Sequence, residues 1–326
     1  MSSKAMVTGA SGWLGRRLIR RLLSQKRKIV CVDYFEDKRA LPEFSKHNHQ
    51  LKIVNGDIRN PESFADEFRG CETVFNCAGI QHPCFTSDIY SVNRDAPAKL
   101  LESCIRSNVK NLVHISTAIV HGENVGKSMI TEKTLCRPLT HYAVSKIQGE
   151  ELLVKIGGKA KVKIVIIRPA AFYGVHPSRN LIEFVMNIKK NLAIVFGDQG
   201  ALRTYVDIEK VVDAMLLAEK HGRHCEAYLI GDKHPISALQ LHQYIADELG
   251  VDLRVRHLPV SLSRLCEKVS FTAGRLNVHL RIPNIIGEFG RNQYFSSEKA
   301  IKELAYKPHD SPEKGLKAMT RSVVNR

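Results

Sequence analysis

At 326 residues the chain is long enough for one large domain or two modest ones around a substantial core. Its 44% hydrophobic and 25% charged residues are ordinary for a soluble globular enzyme. The net charge of +16 suits an anionic cofactor and an anionic substrate. The apolar stretch 164–167 is broken by Arg168-Pro169 and is far too short to span a bilayer. With no signal-peptide pattern ahead of the first apolar run, a cytoplasmic location is expected. Cys31, Cys71, Cys77, Cys84, Cys104, Cys136, Cys225 and Cys266 form no CxxC pair. They read as small buried hydrophobes in a reducing compartment, not as disulfides or a metal site.

In chain order, stretches 4–8, 28–33, 51–55, 73–78, 111–116 and 163–168 are rich in Val and Ile and nearly continuous in apolarity, as strands covered on both faces are. Between them, 14–24, 63–68, 96–107 and 142–156 read as helices. The first helix and the turn after it concentrate Arg16, Arg17, Arg20, Arg21, Lys26, Arg27 and Lys28, with Leu14, Leu18, Leu22 and Leu23 at helical spacing. A solvated cationic face is the expected reading. Attraction to an anionic membrane surface or to nucleic acid is the alternative, and no aromatic interleaving or nucleic-acid motif supports it. Strands alternating with helices predict an α/β fold with a doubly wound parallel sheet of the Rossmann type over residues 1–170.

After Arg168-Pro169 the pattern changes. Loops carrying Gly174, His176-Pro177 and Gly197-Asp198-Gln199-Gly200 separate helical stretches 181–190 and 208–220. A short strand is expected at 228–231, with helices at 239–249, 262–276 and 297–305. Residues 171–326 are expected to form a smaller, mostly helical C-terminal substrate domain, partly interleaved with the first.

Gly9, Gly12 and Gly15 follow the first strand and open the first helix, with Ser11, Trp13 and Leu14 among them. Absent side chains permit a tight turn, and the helix N-terminus offers unpaired N–H groups to a diphosphate. The spacing is GxxGxxG, a variant of the GxGxxG dinucleotide fingerprint. Asp33 ends the second strand, 18 residues past Gly15. A carboxylate there can accept from both ribose hydroxyls and would repel a 2′-phosphate, which predicts NAD rather than NADP. Lys38 and Arg39 argue the other way. Asp57 and Ile58 end the third strand and are placed to meet the adenine. Cys77, Ala78 and Gly79 form a small-residue turn after the fourth, where the cofactor can pass close to backbone. Asn93 and Pro169 complete the expected cofactor contacts.

Tyr142 and Lys146 lie four apart on a predicted helix, so both project from one face. Tyr34…Lys38 has the same spacing but lacks this context. The strand before the Tyr142 helix ends in Ser116-Thr117, which brings hydroxyls to the sheet's C-terminal edge, where such sites form. An ammonium and an oxidised nicotinamide beside a phenol both favour phenolate, which would lower the tyrosine pKa toward working pH.

These motifs together resemble an extended short-chain dehydrogenase/reductase along nearly the full chain: TGxxGxxG at 8–15, the acidic end of strand two, Asp57, Asn76-Cys77-Ala78-Gly79, Ser116-Thr117, Tyr142…Lys146 and Arg168-Pro169-Ala170-Ala171-Phe172-Tyr173-Gly174. The resemblance implies an NAD-dependent enzyme in which Tyr142 is the general acid/base and Lys146 also holds the nicotinamide ribose. Thr117, or Ser116 in its place, would hydrogen-bond the reacting oxygen, and Pro169 would border the nicotinamide. Related 4,6-dehydratases carry an Asp-Glu pair after this Thr, and related decarboxylases keep a Glu. Here Ala118-Ile119-Val120-His121-Gly122 follows, so dehydration and decarboxylation are disfavoured relative to alcohol/ketone redox and 4-epimerisation. His121 is expected to be a packed residue rather than a catalyst.

Two substrate readings compete. Asn180 and Arg203 resemble positions where UDP-galactose 4-epimerases grip a nucleotide diphosphate, and an amide and a guanidinium suit phosphate oxygens. A nucleotide sugar is therefore the first expectation. The C-terminal third, from His257-Leu258-Pro259 to Ser297-Glu298-Lys299-Ala300 and Leu304-Ala305-Tyr306-Lys307-Pro308, is similar to 3β-hydroxysteroid dehydrogenase-like reductases of apolar alcohols or ketones. A dinucleotide-binding module without catalysis is the third reading, and intact Thr117, Tyr142 and Lys146 argue against it. A homodimer is expected by analogy alone.

Overall fold

The computed structural model describes residues 3–34, 41, 44, 49–81 and 85–325. Lys38, Arg39 and Cys84 lie outside these residues. Strand β1 (Lys4–Thr8), helix α1 (Trp13–Ser24), β2 (Lys28–Asp33) and β3 (Leu51–Asn55) form the first run, and a 3-10 segment, Pro61–Phe68, leads into β4 (Cys71–Asn76). Helix α2 (Thr86–Tyr90), a π-helical turn at Ser91–Asp95 and α3 (Ala96–Arg106) precede β5 (Asn111–Ile115), and α4 (His141–Gly157) precedes β6 (Lys163–Pro169). There follow β7 (Ala171–Tyr173), α5 (Arg179–Lys189), β8 (Ala193–Phe196), β9 (Leu202–Arg203), β10 (Tyr205–Asp207), α6 (Ile208–His221) and β11 (Glu226–Ile230). The chain ends with β12 (Ile236–Ser237), α7 (Ala238–Leu249), β13 (Val255–Leu258), α8 (Val260–Arg275), α9 (Arg281–Phe289), α10 (Glu298–Leu304) and α11 (Glu313–Val324).

The central sheet has seven parallel strands in the order β11-β6-β5-β4-β1-β2-β3. The Val- and Ile-rich strands are buried because helices cover both faces. On one face Leu18, Ile19 and Leu22 of α1 pack with Val211, Val212 and Met215 of α6. On the other, Leu100, Leu101 and Cys104 of α3 meet Leu153 of α4. Strand order reverses between β1 and β4, which opens a crevice at their carboxyl ends. The expected doubly wound sheet is thus present, with α6 and β11 returning from the second half of the chain to complete it. A third core gathers α5, α7 and α11 around Val185, Ile245 and Leu316.

The solvated basic face holds for the exposed Arg20, Lys26 and Lys28 and needs correction for the buried Arg17 and Arg27. Arg17 donates to Glu209 at 3.0 Å, and Arg21 donates to Asp213 at 2.6 Å. Arg27 donates both terminal nitrogens to Glu219 at 2.8 and 2.9 Å. The acids of α6 take up these three cations; Arg17 and Arg27 are buried in the contact, while Arg21 stays partly exposed. Sequence periodicity missed α2, α9 and α11. It also missed the short pairs β7–β10, β9–β12 and β8–β13, whose two to four residues are too few to carry a period. Among the described residues no helix is long and apolar enough to cross a membrane, and no His/Cys/Asp/Glu group could hold a metal ion. The seven described cysteines are all free.

Candidate active site

The crevice at the strand-order reversal is a cleft of about 690 Å³, lined by Gly9, Ser11, Gly12, Asp33, Asp57 and Ile58, and by Cys77, Ala78 and Gly79. Gly9 sits at φ +65°, and a Cβ there would lie 2.7 Å from Ala78 N. A Cβ on Gly15 would lie 2.2 Å from Gly9 O. The turn therefore has room for backbone alone. Gly12 caps α1 without any side-chain hydrogen bond, and the first turn carries no acidic residue. Those N–H groups and the helix dipole are left for an anion. Asp33 Oδ2 accepts from the Ser11 N–H at 2.7 Å and the Ser11 hydroxyl at 2.6 Å, which fixes the carboxylate at the cleft wall. A bare-backbone cradle, an uncapped helix end and an acid at the end of β2 fit NAD.

Other expected contacts fall elsewhere. Trp13 turns its ring onto Phe172, 6.4 Å between centroids, and Leu14 is buried in the core beside α1. Asn93, in the π-helical turn, spends its amide on the loop after β4: it donates to Ile80 O at 2.8 Å and accepts from Ile80 N at 3.0 Å. It also reaches Ser145 Oγ at 3.3 Å. Asn93 thus clamps the cofactor loop to α4, and this corrects its reading as a cofactor contact. Pro169 ends β6 at the sheet's carboxyl edge, opposite Ile230 of β11. The motifs gave no sign of Arg59, which also lines the cleft and pairs with Asp57 at 2.5 Å, holding that carboxyl below its ordinary value despite partial burial.

Thr140 caps α4 by accepting from Ala143 N at 3.1 Å, which sets the helix that presents Tyr142 and Lys146. Lys146 is buried, and its Nζ donates to Ile115 O at 2.9 Å. Burial pushes its pKa down to about 8, against the raising influence of Glu150 and Cys77. A Cβ on Gly79 would lie 3.0 Å from that Nζ, so a wall of the cofactor cleft borders Lys146. Burial raises the Tyr142 phenol above its ordinary value, and the charge of Glu288 pushes it the same way. The expectation of a phenol depressed by Lys146 is corrected accordingly: burial and a second acid act on it here.

Thr117 Oγ1 accepts from Ile119 N at 3.4 Å as the cap of a short 3-10 turn, which leaves its proton free to donate. Ser116 is different. Its hydroxyl donates to Glu150, which also binds Arg168 through Nε at 3.1 Å and Nη2 at 2.5 Å. Arg168 Nη1 donates to His121 Nε2 at 3.0 Å, and His121 Nδ1 donates to Thr134 O at 2.9 Å. An arginine can only donate, so Nε2 is the acceptor and the imidazole is neutral. Burial, then Arg168, lowers its pKa to about 4. Ser116 and His121 are thus members of a buried structural network, as expected for His121 and as a correction for Ser116.

On the substrate side, Asn180 is exposed and accepts from Arg281 Nη2 at 2.6 Å. Arg203 donates to Gln293, whose Nε2 donates to Gly122 O at 3.3 Å. Arg281, Gln81 and Glu288 were not found from sequence. Arg281 and Glu288 sit on α9, nine residues not identified as a helix from sequence, and Gln81 had no motif.

A model of the NAD dependent epimerase/dehydratase family matches residues 5–231, more than half of the chain. Short-chain dehydrogenase/reductase family 42E member 1 of Danio rerio is 27% identical, over 93% of this chain and 84% of the relative. The 3beta-hydroxysteroid-dehydrogenase/decarboxylase isoform 1 of Arabidopsis thaliana is 24% identical, over 96% and 77% respectively. In fold, the chain resembles the UDP-glucose 4-epimerase of Thermotoga maritima, solved with UDP-glucose, at a TM-score of 0.80 and 22% identity over 99% of both chains.

Proposed function

The chain belongs to the NAD-dependent epimerase/dehydratase family, and on that premise we propose that it interconverts a secondary alcohol and a ketone on a largely apolar substrate, with Tyr142 as the proton acid/base. One observation carries the reading: Gly79 lines the cofactor cleft and also borders Lys146 Nζ, so a cofactor in the cleft would lie beside the helix turn that carries Lys146. NAD, when bound, supplies the hydride acceptor or donor. The chain's own residues handle the oxygen. Tyr142 Oη exchanges a proton with it, and the Thr117 hydroxyl donates to it and orients the carbonyl. Lys146, held on Ile115 O, presents its ammonium beside Gly79 of the cofactor loop, where the nicotinamide ribose would lie.

The apolar substrate is supported by a second cavity of about 310 Å³ among α5, α7, α8, α9 and the β8–β13 pair. Its wall is mainly Phe184, Ile188, Phe196, Leu258, Ile286 and Phe289, and its polar side chains are Asn187 and His242. Burial lowers the His242 pKa, so this wall is uncharged near neutral pH. The curated relative named for 3β-hydroxysteroid chemistry also spans the C-terminal third. The nucleotide-sugar reading keeps support of its own. Asn180 and Arg281 offer an amide and a guanidinium to a diphosphate. Arg203 favours it less, because it is bonded to Gln293 and acts on the acid Glu288.

The test is turnover with NAD(H) against a panel holding a 3β-hydroxysteroid, its ketone, UDP-glucose and UDP-galactose. Oxidation or reduction of the steroid pair, abolished in Tyr142→Phe while NADH binding persists, is the expected result. Interconversion of the UDP-sugars with no steroid turnover would replace the apolar reading by the nucleotide-sugar one. Activity that survives Tyr142→Phe would remove the mechanism.

A further inference from the structure

Helix α8 packs in the reverse sense for a helix at a protein surface. Its buried face is made of small residues, Ser263, Ser270 and Gly274. Ser270 donates to Leu280 O at 3.3 Å, and Gly274 lies against the His141 ring of α4. A Cβ on Gly287 of α9 would lie 2.9 Å from Glu267 Cβ, so the two helices are in close contact. The large apolar residues of α8 point outward. Leu262, Leu265, Val269 and Leu276 recur at helical spacing on the outer face, and Leu265 and Leu276 are 58% and 77% exposed. A soluble helix ordinarily turns such a stripe onto the core.

The apolar face extends past both ends of this stripe. After α8, the exposed Val278 is bridged to the exposed Phe85. At the other end Leu192, Ile194, Leu262 and Phe289 are each more than a third exposed, and all four line the 310 Å³ cavity. The cavity therefore borders the same surface. Single exposed apolar residues are ordinary, whereas a continuous face of them marks an interaction site.

Charge selects the occupant. From residue 254 to residue 281 the chain carries Arg254, Arg256, Arg264, Lys268, Arg275 and Arg281 against one acid, Glu267. Glu267 is taken by Arg291 at 2.6 Å. Lys268 and Arg275 are exposed and stand three residues on from Leu265 and Thr272, along one flank of the stripe. Arg256 is the register partner of Ile194, so a cation also stands at the mouth of the cavity. A second copy docked about a two-fold axis would set this basic rim against itself. An anionic lipid surface complements both parts, with headgroups for the cations and the acyl boundary for the leucines. We propose that the α8–α9 face docks on the anionic surface of a lipid bilayer, with the α8 stripe at the headgroup–acyl boundary and the apolar cavity bordering it. No helix among the described residues is long and apolar enough to cross a bilayer, so these helices lie on the surface. The docking holds whichever substrate the site turns over.

The test is co-sedimentation of the full chain with phosphatidylcholine vesicles, with and without phosphatidylserine, at low and high salt. Binding is expected to the phosphatidylserine vesicles and is expected to weaken with salt. Leu265→Gln/Val269→Gln, at exposed positions with little packing to lose, should lower it about tenfold or more. Lys268→Gln/Arg275→Gln should lower it about 25-fold at low salt, or about fivefold for each cation near the surface. Lys28→Gln/Lys161→Gln removes the same charge at the amino edge of the sheet and should leave binding nearly unchanged. NADH binding that persists in all three variants shows that each is folded. An absence of binding to phosphatidylserine vesicles overturns the proposal. Full binding by either α8 variant does so too, as does an equal loss in the amino-edge variant. Analytical ultracentrifugation supplies the last outcome: a wild-type dimer that Leu265→Gln/Val269→Gln dissociates would overturn it, because a second copy would then cover this face.

Discussion

Replacing Glu150 with Gln is expected to be among the most damaging polar substitutions in the chain. The carboxylate is 4% exposed and binds an Arg168 side chain that is 9% exposed, so neither charge has water to fall back on. Removing one member of a buried pair leaves the other uncompensated, at a cost of about 3–5 kcal/mol. Ser116 and His121 hang on the same pair, so the end of β5 and the Thr117 turn should loosen with it. Urea denaturation followed by circular dichroism measures the loss. The decisive comparison is the double variant Glu150→Gln/Arg168→Met. If the damage comes from a stranded charge, taking away the guanidinium should recover much of it, because apolar replacement of a buried pair is often neutral. A single variant that costs less than about 1 kcal/mol, in the range of an exposed pair, would refute the reasoning. A double variant that is the sum of its parts would do so too.

The low pKa of His121, about 4 against an ordinary 6.5, makes the fold acid-sensitive. Below pH 6.5 the unfolded chain binds a proton that the folded chain refuses, so stability should fall from pH 6.5 toward pH 4 by up to about 3 kcal/mol. Stability curves of His121→Gln should be flatter across that window, and an unchanged slope would exclude this histidine. Asp33→Asn should weaken NADH binding and raise the NADPH-to-NADH affinity ratio by about tenfold, since it removes the charge that repels a 2′-phosphate; fluorescence titration with both cofactors reads this directly. Arg27→Met should destabilise the protein by about 2–4 kcal/mol, because Arg27 and Glu219 are exposed by only 10% and 12%. Arg21→Met, whose side chain is 36% exposed, should cost under about 1 kcal/mol. Equal losses in the two denaturation series would contradict the packing account of the basic helix.

The sequence by itself determined the sheet and the cofactor cleft. Runs such as 28–33 and 163–168 show continuous apolarity because each strand is covered on both faces, and that local signal survives without any partner in view. Gly9, Gly12 and Gly15 were legible because close backbone approach tolerates no side chain, and Tyr142 and Lys146 because one helical turn aligns them. Tertiary structure decided what depends on partners far away in the chain. Arg17, Arg21 and Arg27 look like a solvated stripe until α6, about 190 positions later, supplies Glu209, Asp213 and Glu219. Ser116 and Thr117 are neighbours in sequence, yet only the fold sends one hydroxyl to Glu150 and leaves the other to the site.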